Sequence, residues 1–377
     1  MLPVRVEISR ETISYPIDIG SGHLKSIGGL LKKMKIGTHA VVVTNPIVRK
    51  HHGDVLASSL REAGFQIDFL EIPSGEESKS AVFAFDLIGR IVERHAGQDV
   101  FIVAFGGGVV GDLAGYVAAA YRRGVPFVQV PTTFLAQIDS AIGGKVGIDL
   151  TFGKNLVGAF YHPRVVYSDI KTLFTLDKRQ IRNGLAEAVK YGVICDKNVF
   201  AFIEANVEDL LGCDAKALTE VVFQCSRIKA NIVGRDEREE KGLRTILNFG
   251  HTIGHAIEAA CDYQEYHHGE AIALGMRIAA EISLQMKLTK EPDVKRLNHV
   301  LSRIGLPERI EGPILADILN RMRHDKKFKS GKNRFVLMAG LGSVKVKENI
   351  DPQVIQSAIA KFSGSSLENP INLTDSQ

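Results

Sequence analysis

Paired cysteines, a lopsided charge and an unbroken apolar run are all missing from this chain. Its four cysteines, Cys195, Cys213, Cys225 and Cys261, lie far apart and form no C-x-x-C pair. They are expected as reduced, mostly buried thiols of a cytosolic protein rather than as a disulfide framework or a thiolate metal clip. Forty-seven basic residues against 43 acidic ones leave a net charge of +4 over 377 residues. That is too thin a field for nucleic-acid binding, and the basic residues do not gather in long runs. The opening "MLPVRVEISRET" lacks the apolar core of a signal sequence. The longest apolar stretch, "VFIVAFGGGVVGDLAGYVAAAY" (100–121), is interrupted by five glycines and Asp112. A strand, a turn and a helix fit it better than a membrane span. A soluble, cytoplasmic protein with no nucleic-acid or membrane partner is the expectation.

What is present is ordinary globular composition, 45% hydrophobic and 24% charged. The length exceeds what one compact core usually serves and suggests two domains. In the first half, short β-branched runs alternate with amphipathic segments. The predicted strands are "HAVVVTN" (39–45), "FQIDFLEI" (65–72), "DVFIVAF" (99–105), "PFVQVPTT" (126–133) and "VVYSDI" (165–170). Near-continuous apolar strands between helices predict a parallel sheet covered on both faces. From about residue 177 helical periodicity replaces the strand signal, as in "RNGLAEAVKYGVI" and "EAIALGMRIAAEISLQMKL". The expected class is therefore an α/β, Rossmann-like parallel-sheet domain over 1–176 followed by a mostly helical domain over 177–362. The polar, aperiodic end, 363–377, is expected to fray.

The turn "FGGGVVGD" follows the strongest strand and precedes a helix, so Gly106, Gly108 and Gly111 satisfy G-x-G-x-x-G in the required context. Missing side chains let backbone approach a pyrophosphate at a helix N-terminus. Two features depart from the usual dinucleotide fingerprint. The turn follows the third predicted strand, and nothing acidic lies between Asp112 and Asp139 to hold a ribose. A tight packing turn is the alternative, and nucleotide binding in a variant geometry is favoured. Directly after "QVPTT", Thr132 and Thr133 occupy a strand's carboxyl end, where open α/β sheets bind ligands. Asp139, Lys145, Lys154 and Asn155 follow on glycine-punctuated loops, with Arg123 just before the strand. Each cation alone reads as solvated surface, whereas their grouping suits a phosphate or carboxylate.

In the second half, "LAEAVKYG" sets Glu187 and Lys190 three apart on one helix face, which is either a surface ion pair or part of a site. "NFGHTIGHAIEAACDYQEYHHGEA" (248–271) then gathers four histidines. His251 and His255 share a helix face as the pair does in H-E-x-x-H, yet glutamate does not follow His251, so the zinc-protease motif is absent. Their partner is open among His267, His268, Glu258 and Glu270. Two histidine groups beside carboxylates point to a divalent ion, zinc with an open position being the natural choice. A nucleotide-binding domain facing a helical, metal-bearing one, with an anionic substrate between them, is as far as spacing leads.

Taken together, "GGGVVGDLAGYVAAAYRRGVPFVQVPTTFLAQIDSAIGGKVGID", "GKNLVGAFYHP", "GLAEAVKYG", "DEREEKGLRTILNFGHTIGHAIE" and "HHGEAIALGM" resemble the 3-dehydroquinate synthases, in order and over roughly residues 10–345. The resemblance implies the second step of the shikimate pathway. 3-Deoxy-D-arabino-heptulosonate 7-phosphate would become 3-dehydroquinate and phosphate, with NAD+ used catalytically and Zn2+ or Co2+ as the metal. By motif, the metal ligands would be Glu187, His251 and His268, and His255 a proton-transfer group beside the substrate. Lys145, Lys190, Lys229, Arg244, Asn248, Asp139, Asn155 and Arg123 match substrate positions, and either Lys326 or Lys327 would reach the site from "HDKKFKSGKNRFVL". NAD+ would meet Gly106, Gly107, Gly108, Gly111 and Asp112, then Thr132 and Thr133, with Glu76, Lys79, Lys145, Lys154 and Thr175. Asn45 would meet NAD+ too, standing where many relatives carry aspartate after the first strand. The doubled histidine of "YHHGEA" and the longer "EEKGLR" also depart from the common pattern. The expected assembly is a homodimer acting on a small phosphorylated sugar acid. Two other readings share the layout: cyclases making cyclitol precursors, which differ at the substrate-carboxylate positions, and polyol dehydrogenases of the glycerol dehydrogenase type, which would release NADH.

Overall fold

The β-branched runs of the first half fold as parallel strands with helices on both faces. The computed structural model describes residues 13–262, 264–312, 315–323 and 333–363. In chain order come β1 (Ile17–Gly20), α1 (Ile27–Met34), β2 (His39–Thr44), α2 (Pro46–Glu62), β3 (Gln66–Glu71), α3 (Ala81–His95), β4 (Val100–Gly106), α4 (Gly108–Ala120) and β5 (Phe127–Pro131). The hairpin β6 (Lys145–Leu150) and β7 (Gly153–Phe160) and then β8 (Val166–Asp169) complete this half. Six strands pair in parallel in the order β1-β8-β5-β4-β2-β3. Val41, Val43, Ile102 and Ala104 pack under Leu87 and Ile91 of α3 and Leu113 and Val117 of α4. Val42, Phe101, Val103 and Val128 pack under Ile27 and Leu31 of α1 and Leu56 and Leu60 of α2. Both faces being covered is why β2, β4 and β5 show no polar alternation, unlike the edge strand β3.

The five predicted strands correspond to β2, β3, β4, β5 and β8. Two pieces differ. β1 has only four residues and pairs along β8 at the sheet edge, too short for a periodic signal. The loops drawn through Lys145, Lys154 and Asn155 are the β6–β7 hairpin, which its glycines disguised.

The second half contains α5 (Lys178–Cys195), α6 (Lys197–Ala205), α7 (Val207–Leu211), α8 (Ala215–Arg235), α9 (His251–Ala260), α10 (His268–Gln285), α11 (Glu291–Ile304) and α12 (Leu315–Arg323). It also holds an antiparallel hairpin, β9 (Arg334–Gly340) and β10 (Ser343–Glu348), before α13 (Pro352–Ser363). Phe335 to Met338 of β9 are buried in the helical core, so this half is helical with one added hairpin. Its core reaches into the first half: Phe134, Ile138, Ile170 and Leu173 cluster with Leu185, Val189 and Ile272. The carboxyl ends of β5 and β8 are thereby seated directly on α5 and α8.

α9 and α10 approach backbone to backbone. A Cβ on Gly275 would stand 2.0 Å from the Gly250 carbonyl oxygen, and one on Gly254 would stand 3.0 Å from the Ala271 carbonyl oxygen. Gly250 also takes φ +78°, which favours glycine as the residue opening α9. The helices pass antiparallel, Gly250 against Gly275 and Gly254 against Ala271, so the body of α9, with His251, His255 and Glu258, comes alongside His268 at the start of α10.

Candidate active site

The glycine turn joins β4 to α4 and forms a floor without side chains. A Cβ on Gly106 would meet Val110 at 2.6 Å, one on Gly107 would meet Thr133 at 3.0 Å, and one on Gly108 would meet Ser140 Oγ at 3.0 Å. Gly111 lies one turn along α4, against Gln129. A slot of about 480 Å³ runs from Asn45 and Glu76 over Gly107, Gly108, Thr132 and Thr133 to Thr175, Asn183 and His268. Thr132 Oγ1 is buried there with no hydrogen-bond partner among the described residues. Asn45 Oδ1 accepts the Val48 N–H at 2.9 Å and caps α2, so half of its amide is already committed. Lys79 is buried and contacts two residues of the next cavity, lying 2.6 Å from Asp112 and 2.5 Å from Asn155 Oδ1. Lys154 lies 3.7 Å from Glu76, and Thr175 hydrogen-bonds His52 at 2.8 Å.

The second cavity, about 560 Å³, is lined by Asp112, Asp139, Lys145, Asn155, Lys229 and Arg244. Lys229 donates to the Asp139 backbone oxygen at 2.5 Å and to its carboxylate at 2.6 Å, and Tyr191 donates to the same carboxylate at 2.6 Å. Burial would raise the Asp139 pKa, but Lys229 and Lys190 outweigh it and hold the carboxyl well below the usual range. Burial acts the other way on Lys229 and lowers it, with Asp139 opposing. Glu239 bridges the other two cations, 2.5 Å from Lys145 and 3.3 Å from Arg244 Nε. Arg244 also donates to the Glu237 carbonyl at 2.7 Å.

The histidines gather on a frame set by α5. Arg179, Asn183, Glu187 and Lys190, spaced four, four and three apart, follow one face of that helix. Arg179 grips Glu270 with two 2.7 Å bonds, and Asn183 accepts the Gly269 N–H. Glu270 in turn accepts the His267 N–H at 2.8 Å. These ties fix the first turn of α10 over α5 and bring His268 beside Glu187. Glu187 and Lys190 are almost wholly buried, at 1% and 2% exposure, and form an ion pair. His251 Nε2 lies 3.3 Å and His268 Nε2 3.6 Å from the same oxygen, Glu187 Oε1. Ring nitrogens of His251, His255 and His268 all fall within 4.8 Å of one another. His255 is the exposed member, its ring centroid 5.2 Å from that of His251 and 5.8 Å from that of His268.

The tautomers follow from the partners. His251 Nδ1 faces the Phe249 carbonyl at 3.1 Å, and His268 Nδ1 faces Glu258 Oε1 at 3.3 Å. Both partners can only accept, so both Nδ1 atoms carry the proton. With the proton on Nδ1, each Nε2 faces the buried Glu187 carboxylate, and as neutral rings the two histidines would offer Nε2 lone pairs to a cation held between them and Glu187. Without one, burial would lower the His268 pKa, but Glu187 and Glu258 outweigh it and raise it to about 10. Burial, and Lys190 after it, hold His251 well below its ordinary value.

Residues 69–183 match the 3-dehydroquinate synthase N-terminal model, and residues 184–328 match the 3-dehydroquinate synthase C-terminal model. A 3-dehydroquinate synthase of Desulforamulus reducens is 42% identical over 359 residues, covering 94% of this chain and 99% of its own. One from Caldanaerobacter subterraneus is 45% identical, covering 88% and 93%. The chain belongs to the 3-dehydroquinate synthase family. Among solved structures, 2-deoxy-scyllo-inosose synthase complexed with carbaglucose-6-phosphate, NAD+ and Co2+ is 29% identical, with a TM-score of 0.84 over 92% of this chain and 96% of its own. Glycerol dehydrogenase from Schizosaccharomyces pombe, at 15% identity and TM-score 0.68 over 95% of this chain and 92% of its own, shares the fold alone. The family's two halves meet where the slot and the cationic cavity adjoin the histidines.

Most residues singled out from the sequence converge here, with three qualifications. Arg123 is exposed on the single turn after α4, at the opposite end of that helix from the glycine floor, and does not line either cavity. Asn248 lies half-buried on the turn between Arg244 and His251, outside both cavity linings. Lys326 and Lys327 lie outside the described residues. Arg179, Asn183, Tyr191 and Glu239 were missed. The first three share α5 with Glu187, and helical spacing back from Glu187 finds Arg179 and Asn183. Glu239 sits in the charged run "RDEREEK", where nothing distinguishes it from solvated neighbours.

Proposed function

We infer that this chain converts 3-deoxy-D-arabino-heptulosonate 7-phosphate to 3-dehydroquinate and phosphate, as a carbon–oxygen lyase using NAD+ and a divalent ion, Zn2+ or Co2+. The observation that carries the reading is a single slot lined from the glycine turn to His268, beside a cavity lined by buried Lys229 and Arg244 and exposed Lys145. The donor set fits a metal, because two Nε2 atoms and a buried carboxylate oxygen converge. The slot fits a dinucleotide, with its side-chain-free floor and the unpaired Thr132 hydroxyl.

When bound, the dinucleotide accepts and returns a hydride, and the ion polarises the oxygen that is oxidised and re-reduced. Glu187, His251 and His268 would hold the ion. His255 is left at the exposed face of the cluster to take and return a proton at the substrate hydroxyl. Oxidation there acidifies the adjacent C–H. β-Elimination then expels phosphate, and ring opening and aldol closure follow re-reduction. Lys145, Lys229 and Arg244, with Asn155, hold the phosphate and carboxylate. Buried Lys190 balances Glu187. The 42–45% identity to 3-dehydroquinate synthases over most of the chain favours this substrate over those of the cyclitol cyclases. The reading is tested by supplying the heptulosonate phosphate with NAD+ and zinc and measuring phosphate release. Release that requires both additions supports it, and no release under any loading contradicts it.

A further inference from the structure

Glu258 stood among the open ligand candidates in the sequence, yet the structure sets it behind the cluster. It lies on α9 seven residues after His251, is 8% exposed, and meets His268 at Nδ1 rather than at the nitrogen facing Glu187. We propose that Glu258 is a positioning residue of the metal centre, holding the His268 ring and its tautomer so that Nε2 is presented as a lone pair, and is not itself a ligand. The inference rests on the metal reading above.

The two histidines differ in what orients them. His251 is held by the Phe249 carbonyl, two residues away on its own backbone, so its tautomer is a property of the helix start. His268 is the first residue of α10, its side chain is 32% exposed, and Glu258 from the neighbouring helix holds its Nδ1. A carboxylate accepting from Nδ1–H fixes the ring and makes Nε2 a stronger donor. The close approach of α9 and α10 at Gly250 and Gly275 keeps Glu258 within reach.

The test is a Co2+ titration of the metal-free full-length protein followed by visible absorption, with zinc affinity measured by chelator competition. For Glu258→Ala, the saturated Co2+ spectrum is expected to keep the parent's bands while affinity falls roughly 10–100-fold. Glu258→Gln, whose amide oxygen still accepts, is expected to recover part of that loss. Parent-like affinity in Glu258→Ala would overturn the proposal, and so would a saturated spectrum with shifted bands, which would make Glu258 a ligand. Should Glu258→Ala fold poorly, Glu258→Met fills the volume without an acceptor and carries the same comparison. Failure of the parent to bind Co2+ would sink the metal reading itself, a result distinct from tight binding that ignores position 258.

Discussion

His255 and His268 face the same few ångströms of space from different surroundings. His268 is bracketed by Glu187 and Glu258, whereas His255 is exposed on α9. His268→Ala is therefore expected to lose bound zinc. His255→Ala should keep the metal while turnover drops, by about 10²–10⁴-fold for a lost proton-transfer group. Metal analysis beside kcat separates the two, and a metal-free His255→Ala protein would reverse the assignment. Asp139 gives a pH dependence. Its folded-state pKa lies below the ordinary 3.8, despite burial, because of Lys229 and Lys190. The ionised carboxylate thus favours the fold above 3.8, and that contribution drains away as pH falls below it. Asp139→Asn should be less stable than the parent near neutral pH, with the gap narrowing toward about pH 3 in denaturant titrations. A gap that widens in acid would contradict the ion-pair account.

At the scale of elements, the site depends on how α9 meets α10. A side chain on Gly275 has no room against the Gly250 carbonyl. Gly275→Ala should push the helices apart, cost about 1–3 kcal/mol of stability, and weaken zinc binding by moving His251 from His268. Denaturation midpoints and metal affinity check both halves; a stable variant with parent-like zinc affinity would show that the approach is not required. This contact also marks what the sequence could show. His251 and His255, four apart, were legible as one face. Their separate roles were not, because the difference lies in Glu187, 64 positions before His251, and in Glu258 across the helix pair. The sheet strands β2, β4 and β5 were legible because burial on both faces leaves a continuous apolar run. The β6–β7 hairpin was not, since its glycines read as loop punctuation although two of them, Gly147 and Gly158, pass backbone against backbone. Arg179 and Asn183 were readable only after Glu187 was placed, by stepping back along α5.

At the scale of the whole molecule, the parallel sheet delivers the glycine turn and Thr132, and the helical half delivers Glu187 and the histidines. The slot and the cationic cavity lie where they meet. The fold alone does not choose the chemistry, since glycerol dehydrogenase shares it at 15% identity. What separates a lyase that recycles its hydride from a dehydrogenase that releases it is the cofactor balance. The most direct measurement follows phosphate and NADH together, with NAD+ held far below the heptulosonate phosphate and zinc present. Many phosphates released per NAD+, with no NADH accumulating, is the predicted result; NADH accumulating one for one with substrate consumed would contradict it.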